Sequence, residues 1–279
     1  MAKRLWEPSE ERIKNSNMYR FMNIINEKYN KDFTEYAPLW EWSTENIPDF
    51  WASMWEFAGI KASQPYSEVV DDLTKMPGAK WFSGAKLNFA ENLLRYRDDQ
   101  VALIFKGEAQ DSIKMTYAEL YDEVARVARS LKEVGVQAGD RVAGFMPNMA
   151  QTIIAMLAAT SIGAAWSSCS PDFGIKGVLD RFGQIQPKVL FTANGYSFKE
   201  KKFDSLGRVP DILKDLPTTE KVVVVPYTET DPDISGIPNA VHYRDFKSSE
   251  SNLEIEFEQL PFEHPLYIMY SSGTTGLPK

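Results

Sequence analysis

Pro265-Leu266-Tyr267-Ile268-Met269-Tyr270 runs straight into Ser271-Ser272-Gly273-Thr274-Thr275-Gly276-Leu277-Pro278-Lys279. The first six residues are a short apolar and aromatic run of strand length, and they read as a buried strand. The composition then changes at once to Ser, Thr and Gly. A strand that feeds such a turn makes a concavity at the carboxyl edge of a sheet, where open α/β sheets bind their ligands. Glycines let the backbone approach closely, so successive N–H groups can face one anion as a nest. The hydroxyls of Ser271, Ser272, Thr274 and Thr275 add donors, and Lys279 adds a mobile positive charge. This set of groups suits a polyphosphate. It departs from the Walker A loop, which needs four residues between its glycines and Lys-Ser/Thr directly after the second. Here two residues separate Gly273 from Gly276, and Pro278 precedes the lysine.

Working back from this loop, strands and helices alternate. Val101–Phe105 is a short apolar run. Thr116, with Glu119 three residues later, forms a capping box for a helix whose stripe is Leu120, Val124, Val127, Leu131 and Val134, with Gly135 as its stop. Gly139-Asp140-Arg141 turns into a strand over 142–146, and Asn148 is expected to cap a helix reaching Ile162. Gly163 sits where a left-handed C-cap is wanted. Residues 164–167 read as the next strand, and Asp172 as the cap of a helix through Val178, Leu179 and Phe182. Strands over 189–192 and 222–225 follow, separated by a weaker helix that contains Gly207 and Pro210. The polar stretch 228–258 is expected to be loop, its charges a solvated face rather than a metal site. Such alternation predicts an α/β fold: a doubly wound, mostly parallel sheet with helices on both faces.

The 279 residues, at ~150 per domain, suggest about two domains. Five of the seven tryptophans (Trp6, Trp40, Trp42, Trp51 and Trp55) lie in the first sixty or so residues. Trp51, Met54, Trp55 and Ala58 recur there at helical spacing before Gly59, which predicts a Trp-rich helical cap whose aromatics are packing surface. The expected division is a cap over 1–100 and a ligand-binding domain over 101–279. The formal net charge of -8 argues against nucleic-acid and anionic-membrane partners. The longest apolar stretch, from Thr152 to Trp166, is shorter than a membrane span and is broken by Thr160, Ser161 and Gly163. The start, Met1-Ala2-Lys3-Arg4-Leu5-Trp6-Glu7-Pro8, has no apolar core of a secretory signal. Cys169 is the single cysteine, which excludes an internal disulfide framework and fits a reducing, cytoplasmic compartment. Lying among small residues with nothing to lower its pKa, it reads as an inert buried thiol. His242 and His264 stand too far apart in the chain to suggest a metal site, and Asp180 and Arg181 read equally as a helix-surface ion pair or as groups serving the site.

The terminal loop resembles the signature of the adenylate-forming superfamily of acyl-CoA synthetases, adenylation domains and luciferases. Gly139-Asp140-Arg141-Val142, Pro147-Asn148, Met156-Leu157-Ala158-Ala159 and Ile162-Gly163-Ala164 resemble its N-terminal signature. Trp81-Phe82, Gly84, Leu87-Asn88 and Asn92-Leu93 resemble the short-chain branch that includes acetyl-CoA synthetases. Trp166-Ser167-Ser168-Cys169-Ser170-Pro171-Asp172-Phe173-Gly174 resembles the acetoacetyl-CoA synthetase branch in particular. So do Gly177-Val178-Leu179-Asp180-Arg181-Phe182, Gln184-Ile185-Gln186-Pro187-Lys188 and Phe257-Glu258-Gln259-Leu260-Pro261-Phe262.

The resemblance implies a partial N-terminal domain of the adenylate-forming fold and a two-step ligase. Acetoacetate would attack the α-phosphate of ATP, which arrives with Mg2+, and coenzyme A would then take the acyl group. It assigns Ser271, Ser272, Gly273, Thr274, Thr275 and Gly276 to the β- and γ-phosphates, with Lys279 at the loop's mobile end. By a looser match it puts Ser170, Pro171 and Asp172 near the coenzyme A side. The family's ribose-binding Asp, hinge and adenylating lysine all follow the phosphate loop, so no catalytic residue is assigned here. The expectation is a truncated chain, inactive alone and poorly soluble, whose complete form works in ketone body and lipid metabolism. Two other readings stay open: another short-chain ligase, such as an acetyl- or propionyl-CoA synthetase, or a non-catalytic nucleotide-binding module.

Overall fold

The computed structural model describes residues 5–271 and 278. The chain divides into two compact units, one built from residues up to 60 together with 66–84, the other from 61–65 together with 85 onward. In the first unit, helices α1 (Glu10–Lys14), α2 (Asn17–Tyr29), α3 (Tyr36–Glu45) and α4 (Ile47–Phe57) precede an antiparallel pair, β1 (Glu68–Val70) with β2 (Trp81–Ser83). Phe21, Met22, Ile25, Leu39 and Trp42 form its core. Gly59 (φ 58°) turns the chain after α4. Of the five early tryptophans only Trp42 is buried. Trp55 lies with its ring centroid 4.7 Å from that of Phe82, tilted by 32°, whereas Trp6, Trp40 and Trp51 are exposed. The fully covered residue on α4 is Ser53, whose hydroxyl meets that of Tyr29 at 3.2 Å.

The second unit opens with β3 (Lys86–Leu87) and α5 (Phe89–Leu93), then a twisted antiparallel pair, β4 (Val101–Phe105) with β5 (Ile113–Thr116). Val101–Phe105 is therefore a strand, as expected, but it lies outside the main sheet. Thr116 and Glu119 form a complete capping box at the start of α6 (Tyr117–Glu133), satisfying two orphan N–H groups at once. The main sheet then follows: β6 (Arg141–Phe145), α7 (Ala150–Ser161), β7 (Ala165–Cys169), α8 (Ile175–Ile185) and β8 (Val189–Ala193). After β9 (Gly195–Phe198), β10 (Lys201–Asp204) and α9 (Val209–Lys214) come β11 (Lys221–Val225), β12 (Ala240–His242) and α10 (Tyr243–Phe246). The strand β13 (Leu260–Pro261) pairs antiparallel with β3.

Five strands in the order β12-β11-β8-β6-β7 make the sheet, and every pairing is parallel. Successive side chains of a strand point to opposite faces, and that period sorts the residues into two cores. Val142, Trp166, Val189, Phe191, Val223 and Val225 face α6, α7 and α10. Ala143, Phe145, Cys169, Leu190, Val222 and Val224 face α8 and α9. Such strands are apolar at every position because both faces are covered.

Several expectations are corrected. The N-cap of α7 is Met149, with no side-chain bond, rather than Asn148. The N-cap of α8 is Gly174, two residues after Asp172, because residues 170–173 close a turn before the helix begins. The weak helix around Gly207 and Pro210 is a 3-10 turn, Leu206–Arg208, followed by α9 with Pro210 in its first turn, where a missing N–H costs nothing. The polar stretch 228–258 supplies β12, the edge strand of the sheet, together with α10.

Candidate functional site

At the carboxyl edge of the sheet, β7 ends in Cys169 and turns over Ser170-Pro171-Asp172-Phe173, with the Phe173 N–H donating to the Ser170 carbonyl at 3.2 Å. Arg208 holds this turn from the other side, donating to the carbonyls of Phe173 (3.1 Å) and Pro171 (3.5 Å). Pro171 is buried, and Ser170 and Asp172 are exposed.

Residues 265–271 lie alongside β7. The Trp166 N–H donates to the Leu266 carbonyl at 3.0 Å, the Ile268 N–H to the Trp166 carbonyl at 2.9 Å, and Ser167 Oγ to the Ile268 carbonyl at 2.8 Å. The bridge between Trp166 and Tyr267 is parallel. These bonds hold residues 266–268 alongside β7, with the chain running in the same direction as the strand. The segment is not the buried strand expected, since one parallel bridge joins it to the sheet and Met269 is 82% exposed.

Gly144 makes this arrangement sterically feasible. A Cβ there would stand 2.7 Å from the Trp166 indole, whose backbone carries the bonds to 266 and 268. Beyond Tyr270 the chain meets α8, where the Tyr270 hydroxyl donates to the Arg181 carbonyl at 2.8 Å. Pro278 returns to the same helix, its carbonyl accepting from Gln184 Nε2 at 3.0 Å. Ser271 is exposed at the loop's start. Ser272, Gly273, Thr274, Thr275, Gly276 and Lys279 lie outside the described residues.

The remaining candidates are resolved by their partners. Arg181 lies over the Phe173 ring at 4.4 Å and donates to the Gly177 carbonyl, while Asp180 pairs with Lys176 at 2.8 Å; Arg181 and Asp180 are not each other's partners. Burial pushes the Cys169 thiol up to about 12, against the opposing pull of the Arg181 charge, so it is no nucleophile near neutral pH. Burial likewise raises the Tyr270 phenol, which keeps it a neutral hydrogen-bond donor. His264 Nε2 lies 2.8 Å from the Gly163 carbonyl. Among the described residues no group of three His, Cys, Asp or Glu side chains could hold a metal ion.

The sequence reading missed the hairpin of β9 and β10 and the residue that seats it. Asn194, buried directly after β8, accepts from the N–H groups of Tyr227 (2.6 Å) and Thr228 (3.0 Å) and donates to Thr228 Oγ1 at 2.8 Å. It ties the carboxyl ends of β8 and β11 together. The following Gly195 has no room for a side chain, because a Cβ would run into the Phe203 carbonyl. The signal was present as Asn-Gly after a buried run, a strong hairpin dipeptide, but here it stands at the entry to the first hairpin strand instead of at the turn.

Residues 89–279 match the family described as AMP-binding enzyme, and residues 36–93 match the acetyl-coenzyme A synthetase N-terminus. The acetoacetyl-CoA synthetase of Danio rerio is 45% identical over 287 aligned residues, covering 100% of this chain and 42% of that one. A malonamoyl-CoA synthetase of Penicillium aethiopicum is 36% identical, over 99% of this chain and 40% of its own length. In structure, the acetoacetyl-CoA synthetase from Streptomyces lividans superposes with a TM-score of 0.91 at 38% identity, over 99% of this chain and 42% of that one. The chain thus spans about 42% of the length of these synthetases.

Proposed function

The chain belongs to the AMP-binding enzyme family, and on that premise we propose that it serves an ATP-dependent, AMP-forming ligation of acetoacetate to coenzyme A. In the first step a carboxylate oxygen bonds to the α-phosphorus of ATP as the bond to the β-phosphate breaks, giving acetoacetyl-adenylate and pyrophosphate. In the second the thiol sulfur of coenzyme A bonds to the acyl carbon, its proton leaves, and AMP departs. The first step gathers negative charge on the pyrophosphate, so donors fixed around that group lower its barrier most.

The observation that carries this reading is the parallel bridge, with the bonds at Leu266 and Ile268, that runs residues 266–268 alongside β7 toward the carboxyl edge of the sheet. On it, the N–H groups and hydroxyls of Ser271, Ser272, Gly273, Thr274, Thr275 and Gly276 hold the β- and γ-phosphates, and Lys279 adds positive charge. Mg2+ comes in with the nucleotide. Ser170, Pro171 and Asp172 line the coenzyme A side, with Ser170 and Asp172 exposed on the turn after β7. Residues 1–100 act as the cap and 101–279 begin the ligase domain, a division near the junction at 89–93 where the two family matches meet. A cytoplasmic setting, with acetoacetate drawn into ketone body and lipid metabolism, belongs to the same proposal.

The similarity to a malonamoyl-CoA synthetase favours a second reading of the acid. Malonamate and acetoacetate both carry a carbonyl β to the carboxylate, whereas acetate and propionate do not. Thioester formation by the product of the complete reading frame, measured on these four acids, tests the choice. Acetoacetate is expected to give the highest kcat/KM. A higher value with malonamate would support the second reading, and a preference for acetate or propionate would overturn both.

A further inference from the structure

The turn over Ser170-Pro171-Asp172-Phe173 is held by side chains from two other parts of the chain. Pro171 and Phe173 follow β7 and precede α8, so their carbonyls belong to neither element. Arg208 Nη1 donates to both, at 3.1 Å to Phe173 and 3.5 Å to Pro171. A guanidinium does not lose its charge in a protein, and charged donors make the stronger hydrogen bonds. Arg181 lies over the Phe173 ring at 4.4 Å, and the Phe173 N–H closes the turn on the Ser170 carbonyl.

Arg208 is itself anchored to another part of the same sheet edge. Its N–H donates to the Ser205 carbonyl at 3.3 Å, and the fully buried Ser205 donates its N–H to the Asn194 carbonyl at 3.2 Å. Asp204 accepts from the N–H groups of Leu206 and Gly207, both at 3.0 Å, which sets the 3-10 turn that ends in Arg208. Directly after it, Val209 and Ile212 are fully buried in the core that holds Phe145, Cys169 and Val178. In the sheet β6 stands between β8 and β7, so Arg208 links a segment fixed at the end of β8 to the turn at the end of β7. The exposed Ser170 and Asp172 are thus presented from a fixed backbone, and order already established in folding is not subtracted from a ligand's affinity. We propose that Arg208 is a positioning residue for coenzyme A: it fixes turn 170–173, touches no reacting atom, and serves thioester formation but not adenylation. The proposal rests on the reading that Ser170, Pro171 and Asp172 line the coenzyme A side.

The test uses Arg208→Met, which keeps an apolar stem and removes the donors, and Arg208→Lys, which keeps the charge on a different head group. Ser170→Trp fills the exposed tip of the turn, and Lys214→Ala, exposed on α9, is the control. All are made in the complete reading-frame product, with melting temperature as the check on folding. KM for coenzyme A is measured in thioester formation, and acetoacetate-dependent exchange of labelled pyrophosphate into ATP reads the first step alone. Arg208→Met is expected to raise the coenzyme A KM about five- to thirtyfold, the range for a hydrogen bond from a charged donor. Exchange should stay within about twofold of the parent, a split that general loss of structure would not produce. Arg208→Lys is expected to show a smaller rise, about two- to fivefold, and carries the same comparison if the methionine variant does not fold. Ser170→Trp should raise the same KM, and the control should match the parent. A coenzyme A KM unchanged on replacing Arg208, or an equal loss in exchange, would overturn the proposal; a rise in Ser170→Trp would then leave the reading of the turn intact. No response to Ser170→Trp would overturn that reading and the proposal with it.

Discussion

Cys169 and Trp166 show how single residues on β7 are committed to structure. The thiol sits at the strand's carboxyl end, 4% exposed and packed with Phe145 and Val178. Its pKa, raised by burial to about 12, leaves a thiolate fraction of roughly one in 10,000 at pH 8. Between the ordinary value of 9.0 and about 12, the unfolded chain has released this proton and the folded chain has not. Stability therefore carries the full contribution below pH 9 and loses it as pH rises through that window. Labelling with a thiol-specific disulfide reagent at pH 8 should be negligible in the native protein and complete in denaturant. Fast native labelling would show the thiol to be accessible and ionised. Trp166 makes a different commitment. Its ring needs the space above Gly144, and its N–H and carbonyl hold Leu266 and Ile268, so one residue links sheet packing to the placement of residues 266–268.

Among the elements, Asn88 joins pieces distant in sequence. It caps α5 by accepting from the Glu91 N–H, and its amide donates to the carbonyls of Thr160, Ser161 and Glu258. Asn88→Ala removes a cap and leaves buried carbonyls at the end of α7 short of a donor, which should cost about 2–3 kcal/mol. Chemical denaturation measures it, and a loss below about 0.5 kcal/mol would show that water replaces the amide without penalty. The strands and helices of the sheet were legible because the signals were local: a capping box at Thr116, helical spacing through Leu131, and continuous Val, Leu and Phe in strands covered on both faces. What was missed depended on partners far along the chain. β12 reads as a polar loop because an edge strand needs little apolar surface, and it pairs only with β11. The stretch 265–270 looks like a core strand in isolation, yet it joins the sheet by one bridge. Asn148 and Asp172 are good capping residues by type, but each lies two residues before the first residue with a helical backbone or its cap. Of the site, the loop's chemistry was readable from residue types, whereas the bonds that join Tyr270 and Pro278 to α8 needed the fold.

At the scale of the whole molecule, a doubly wound parallel sheet carries residues 266–268 alongside β7 toward the edge where such sheets bind ligands. The chain's family is that of AMP-binding enzymes, and its relatives include an acetoacetyl-CoA synthetase and a malonamoyl-CoA synthetase. On the proposed function, the reaction passes through an acyl-adenylate, an intermediate formed before coenzyme A is engaged. The decisive measurement is exchange of labelled pyrophosphate into ATP by the complete reading-frame product. Exchange that requires acetoacetate and proceeds without coenzyme A is expected. Exchange that appears only when coenzyme A is added, or release of ADP in place of AMP during thioester formation, would contradict it.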